Sequence, residues 1–137
     1  MATVASPGCV LDTSALLAWL WKEPGDAAVQ RALTAGGCRI SAVNLAELLA
    51  KFSDAGLPVG DGLALVQELE LIVLPADASE AVESARLRAA TRPMGLSLGD
   101  RACLALARGL GLPVLTADRA WLKAEVGVTI EFIRPVA

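Results

Sequence analysis

CVLDTSALLAWL, residues Cys9 to Leu20, sets one carboxylate among a dozen otherwise apolar or small residues. The run CVL has the length and character of a short buried strand, and the residues from about Thr13 to Trp21 read as a helix that Pro24 and Gly25 terminate. Asp12 is therefore both the residue after a strand and the residue before a helix. That is where open α/β sheets carry functional groups, at the carboxyl ends of their strands.

The same alternation continues along the chain. Asp26 can cap a helix AAVQRALTA that Gly36-Gly37 closes; CRIS is a second strand, and NLAELLAKF a helix carried up to Gly56. LPVG reads as a loop, LALVQELE as an amphipathic helix and LIVLP as a third strand. Asp77 to Thr91 reads as one strong helix before the breaker RPMG, and Ser97 opens another through Ala107. PVLTA is a fourth strand, DRAWLKAE a short helix, and VTIEFI a fifth strand before Pro135. Strands alternating with helices imply an α/β fold, a parallel sheet covered on both faces. No repeat, low-complexity tract or linker interrupts it, so residues 1–137 are expected to form a single domain.

Composition removes several chemistries. There is no His, which excludes Ser-His-Asp and Cys-His nucleophile systems and His-ligated zinc, and there is no Tyr to carry a phosphotyrosyl intermediate. Cys9, Cys38 and Cys103 are an odd number at wide spacing, read as buried reduced thiols rather than a disulfide framework or zinc site. Hydrophobic residues make up 55% of the chain and mean hydropathy is +0.55, yet no uncharged apolar run approaches the roughly 18 residues of a membrane span. The apolar surplus suggests a partner-binding surface. MATVASPG has no basic residue and no separate hydrophobic segment, so a cytoplasmic protein is expected.

The net charge of −3 is unevenly spread. Through Glu80 the chain carries ten acidic and four basic residues; from Ala81 onward it carries five and eight. The arginines of the second half either solvate helix faces or form a basic flank able to hold phosphates beside an acidic site.

Three more acids share the situation of Asp12: Glu47 in ISAVNLAELLA, Asp100 in LSLGDRACLALA and Asp118 in VLTADRAWL. Each lies near the start of a predicted helix, in apolar surroundings, just after a strand or loop. By contrast, Glu68, Glu70, Glu80 and Glu83 sit among polar neighbours and need no special account. Helix capping explains each acid singly: Asn44-Leu-Ala-Glu47 and Ser97-Leu-Gly-Asp100 have capping-box spacing, and Asp12 and Asp118 can each cap the helix that begins after it. Ser14 and Thr116 read equally as local turn or cap hydroxyls. Taken together, four carboxylates on one rim repel one another unless a positive charge lies between them. Hard Mg²⁺ or Mn²⁺ suits oxygen ligands and retains waters that can attack a phosphodiester.

LDTSALLA with Asp12, SAVNLAEL with Glu47, LSLGDRACLALA with Asp100 and VLTADRAW with Asp118, in this order, resemble the PIN-domain ribonucleases, and specifically VapC-type toxins of toxin–antitoxin pairs. The resemblance runs from about Val10 to Pro135. It implies a three-layer α/β/α PIN-like fold whose central, mostly parallel sheet has about five strands. It implies that Asp12, Glu47, Asp100 and Asp118 bind Mg²⁺ or Mn²⁺, with Thr13 or Ser14 and Thr116 as supporting hydroxyls and Asn44 behind them. The implied activity is endonucleolytic cleavage of single-stranded or looped RNA of the tRNA or rRNA class. The implied partners are a second copy of the chain and a cognate VapB-type antitoxin covering a hydrophobic groove, to which Trp19 and Trp21 could contribute. Trp121 is assigned to the core.

Three other readings compete. A housekeeping PIN-domain nuclease that processes RNA would lack a neighbouring antitoxin gene. A non-catalytic binding module would use its acids only as caps and would bind no metal. A phosphoryl-transfer receiver or phosphatase domain needs paired acids after the first strand, where this chain has Thr13 and Ser14.

Overall fold

The computed structural model of the chain describes residues 8–134. The expectations for the MATVASP segment and for Pro135 lie outside the described residues. Five strands, β1 (Cys9–Leu11), β2 (Cys38–Ser41), β3 (Ile72–Leu74), β4 (Val114–Thr116) and β5 (Ile130–Phe132), form one sheet in the order β3-β2-β1-β4-β5. Every neighbouring pair is parallel, so the sheet is wholly rather than mostly parallel. The chain leaves β1 toward β2 on one side and returns to β4 on the other, which opens a crevice at the carboxyl ends of β1 and β4.

Among the described residues the α-helices are α1 (Thr13–Leu20), α2 (Asp26–Ala35), α3 (Ala42–Asp54), α4 (Val59–Glu68), α5 (Ala78–Arg86), α6 (Arg88–Thr91) and α7 (Leu98–Leu110). They cover both faces of the sheet, giving three α/β/α layers. The period-2 alternation of strand side chains assigns the faces. Cys9 and Leu11 join a core with Leu16, Val29, Leu48 and Phe52 from α1, α2 and α3, whereas Val10 joins Leu104 of α7 and Trp121 on the other face. Trp121 is fully buried, as expected. None of the helices among the described residues is long and apolar enough to cross a membrane.

The differences from expectation have local causes. α4 begins at Val59, inside the segment LPVG read as a loop. Gly60 and Gly62 disfavour a helix by about 1 kcal/mol each relative to Ala, but a Cβ on Gly62 would stand 2.8 Å from Leu49 Cδ2, so packing of α4 on α3 uses that glycine. The segment Asp77 to Thr91 is not one helix: α5 ends at Arg86, α6 follows Leu87, and residues Arg92–Met94 tighten into a 3₁₀ turn. Pro93 has no N–H to extend the ladder. α7 runs to Leu110, beyond Ala107, before Gly111 in the left-handed conformation ends it. Gly25, not Asp26, occupies the cap position of α2, and the segment after Asp118 is a 3₁₀ helix, Arg119–Lys123.

Candidate active site

The hydrogen bonds of the four acids separate caps from other uses. Asp100 does cap: Ser97 Oγ accepts from Asp100 N at 3.2 Å, while Asp100 Oδ2 accepts from Ser97 N at 2.9 Å. Asp118 also caps, its Oδ1 accepting from Ala120 N at 2.9 Å. Asp12 occupies the cap position of α1, yet its side chain makes no cap bond. Instead Asp12 Oδ2 accepts from Ser14 Oγ at 2.6 Å and from Thr116 Oγ1 at 2.9 Å.

The expected Asn44–Glu47 capping box is absent, because α3 starts earlier. Ser41 is its cap, accepting from Val43 N at 3.2 Å. Asn44 is thereby fully buried within the first turn, and its Nδ2 donates to Glu47 Oε1 at 2.8 Å and to the Gly99 carbonyl at 3.1 Å. Thr13 Oγ1 also donates to Glu47 Oε1, at 3.0 Å. Glu47 is therefore aimed by residues from α1 and α3.

Asp12 is 4% exposed, and burial pushes its pKa up to about 6. The Ser14 and Thr116 hydroxyls oppose that rise, while the charges of Asp100 and Glu47 add to it. The carboxyl of Asp100 is also raised, first by burial, with Asp118 and Glu47 adding. Asp12 thus feels the charges of Asp100 and Glu47, and Asp100 those of Asp118 and Glu47, at the crevice between β1 and β4. Cys103, fully buried on α7, lies beneath them; burial and the charges of Asp12, Asp100, Glu47 and Glu80 keep its thiol protonated.

Thr13, Ser14, Asn44 and Thr116 all come together here. Ser14 Oγ lies 3.3 Å from Thr116 Oγ1 and accepts from Ala117 N at 3.0 Å, and Thr116 Oγ1 accepts from Asp118 N at 3.1 Å. These bonds fix the start of α1 against the end of β4.

Two contributors escape sequence reading. Gly99 sits where any Cβ would run into the Glu47 carboxylate, so its lack of a side chain makes room for Glu47. Glu80, expected to be an ordinary exposed acid, is half-buried; its Oε2 accepts from Ser41 Oγ at 3.4 Å, and burial raises its pKa. The spacing of neither residue signals this.

The donor set fits a hard divalent cation in kind: carboxylate oxygens, one of them buried and held above its usual range, with the Asn44 Oδ1 atom buried and unpartnered beside them. The set is not a closed cage, since among the described residues no three acidic or thiol side chains are grouped to surround an ion. Glu47, Asp100 and Asp118 are held by Thr13 and Asn44, by Ser97 and by Ala120 respectively.

The family described as PIN domain matches residues 9–126. No curated protein matches the chain. Among solved structures it is similar to a toxin-antitoxin complex from Klebsiella pneumoniae, at 20% identity and TM-score 0.68, covering 94% of this chain and 100% of that one. It is similar to DNA-bound VapBC from Salmonella typhimurium at 24% identity and TM-score 0.68, covering 92% and 98%. Similarity to VapBC2 from Rickettsia felis, bound to a promoter DNA fragment, is 17% identity with TM-score 0.71, covering 89% and 96%. At these identities the likeness establishes the fold.

Proposed function

This chain belongs to the PIN-domain family, and from that premise we propose that it is a metal-dependent endoribonuclease acting as the VapC-type toxin of a toxin–antitoxin pair. The observation that carries this reading is Asp12: a nearly buried carboxylate that leaves its helix uncapped and faces Asp100 and Glu47. A binding module whose acids only cap helices has no use for it. Asp12, Glu47, Asp100 and Asp118 would hold Mg²⁺ or Mn²⁺. When bound, such an ion lowers the pKa of a coordinated water and offsets charge on the phosphodiester.

The chain's own residues supply the rest. Ser14 and Thr116 hold the Asp12 carboxylate in one orientation, and Thr13 and Asn44 do the same for Glu47. Arg119, exposed and next to Asp118, with its guanidinium 5.7 Å from the Phe132 ring centre, is a cation able to meet a phosphate at the rim. Arg101 is instead turned inward, its Nη1 donating to the Ser84 carbonyl at 3.1 Å.

An antitoxin has a matching apolar surface. Trp19, Leu20, Gln30 and Leu65 line a groove of about 420 Å³ between α1, α2 and α4, and Trp21 beside it is 50% exposed. Three of the similar structures are described as toxin–antitoxin or VapBC complexes, which supports this partner. On this reading residues 1–137 are one PIN domain, active in the cytoplasm as a homodimer on RNA of the tRNA or rRNA class.

The test is cleavage of a mixed tRNA and ribosomal RNA pool by antitoxin-free protein with Mg²⁺ or Mn²⁺, with EDTA, and with Asp12→Asn. Discrete cuts that vanish with both EDTA and the substitution are expected. A metal-loaded protein that cuts nothing, or cuts equally as Asp12→Asn, would overturn the reading.

A further inference from the structure

At the opposite end of the sheet from the carboxylates, Cys9 of β1 and Cys38 of β2 are partners in the parallel ladder, and their sulfurs lie 3.7 Å apart. Neighbouring strands run about 4.7–4.9 Å apart, which places the two Cα atoms inside the roughly 4.4–6.8 Å range that a disulfide spans. Just before each cysteine stands a glycine, Gly8 and Gly37, with φ of +89° and +74°. A Cβ on Gly8 would run into the Gly37 carbonyl, so the strands enter the ladder at a spacing that side chains would prevent.

Both thiols are nearly buried, at 6% and 3% exposure, but the pair is reached through Cys9, whose sulfur lies against that of Cys38. Cys9 lines a cavity of about 250 Å³ together with Ala35, Gly36, Leu115 and Glu131. Its size admits a small polar molecule such as a peroxide. Cys103 differs: it is 0% exposed and lines none of the described cavities.

We propose that Cys9 and Cys38 form an oxidisable dithiol, a modification site at which hydrogen peroxide closes a disulfide between β1 and β2. The thiolate of one cysteine attacks a peroxide oxygen. The O–O bond breaks, an S–O bond forms, and the departing hydroxide takes up the released proton as water. The second cysteine's sulfur then attacks the sulfenic sulfur; the S–S bond forms, the S–O bond breaks, and a second water leaves with the second proton. Two thiols lose two electrons and two hydrogens, and one peroxide is reduced to two waters. The Cys9 S–H bonding the Cys38 sulfur makes Cys38 the first thiolate: the contact holds the Cys38 thiol below its ordinary range, with Arg39 acting in the same direction, while the same contact and burial push the Cys9 thiol up, leaving Cys9 as the sulfur that closes the bond. The closed loop would contain α1 and α2, tying the segment that carries Asp12 to β2.

The experiment treats the full, reduced, folded chain with hydrogen peroxide, then denatures it and alkylates remaining thiols for mass spectrometry. The expected result is a fall from three alkylated cysteines to one, that one being Cys103, with a Cys9–Cys38 linked peptide that dithiothreitol releases. Ala35→Phe, which fills the cavity, should slow the reaction several-fold in chains whose circular dichroism is unchanged. Persistence of three free thiols, oxidation stopping at a sulfinic acid on one cysteine, or linkage through Cys103 would overturn the proposal.

Discussion

Thr116 Oγ1 donates a 2.9 Å hydrogen bond to Asp12 Oδ2 across 104 residues of sequence, joining the last residue of β4 to the residue just past β1. It is one of two hydroxyl bonds that oppose the cost of burying this carboxylate. Thr116→Val keeps the shape of a fully buried side chain but removes the donor. A hydrogen bond to a charged group contributes about 1.5–3 kcal/mol, so the Asp12 titration in metal-free protein should move upward from about 6 by roughly one to two pH units. Carboxyl ¹³C chemical shifts followed through a pH series measure it; an unmoved midpoint would show that the Thr116 bond does not stabilise the Asp12 charge.

Asp12→Asn is expected to remove cleavage and yet make the metal-free protein more stable. The folded state holds the Asp12 proton up to about pH 6, whereas a free Asp releases it near 3.8. Between those values the folded protein binds more protons than the unfolded one, so this group's contribution to stability is present below the lower value and is lost as pH rises through the upper one. Above pH 6 the ionised carboxylate then costs roughly 3 kcal/mol. The amide of Asn removes the charge and retains an oxygen for Ser14 and Thr116. At pH 7 the Tm of metal-free Asp12→Asn should exceed that of the parent, and Mn²⁺ should raise the parent's Tm alone. A variant less stable than the parent at pH 7 would mean that the carboxylate is structural.

These two residues also show what the sequence makes legible. Asp12 and Thr116 terminate runs of apolar residues too short for helices, and that pattern identifies both strands and their functional rim. The position of Glu47 is legible, but its orientation is not, because it depends on Asn44 being buried within the first turn of α3 and on an empty space at Gly99. Glu80 misleads for the opposite reason. Its neighbours in sequence are polar, while the fold half-buries it and brings Ser41 of β2 to donate to its carboxylate. The early start of α4 is likewise decided by packing against Leu49 and Phe52, against the local preference of two glycines. Periodic burial is written along the chain; contacts between distant segments are not.

Arg119→Ala should weaken RNA binding and flatten its salt dependence. Loss of one phosphate contact reduces the slope of log K against log salt by about 0.7 on a single strand. Binding by the Asp12→Asn background, measured over a salt series by fluorescence anisotropy, separates this from cleavage. Equal slopes would remove Arg119 from the interface.

Gly99→Ala separates helix stability from site geometry. Gly99 lies in the first turn of α7, where Ala gains up to about 1 kcal/mol in helix propensity. Its new methyl would occupy the place of the Glu47 carboxylate, and the side chain of Glu47 is long enough to swing away at small cost to the fold. Swinging away breaks the bonds from Thr13 and Asn44 that aim it. Residues that orient metal ligands typically contribute 10–100-fold to affinity or activity, so a loss of about that size is expected, with stability unchanged to within about 1 kcal/mol. Parallel denaturant unfolding and RNA cleavage assays give both quantities. Full activity in a stably folded Gly99→Ala would mean that the position of Glu47 does not matter to the chemistry; loss of both together would place the strain in α7 itself.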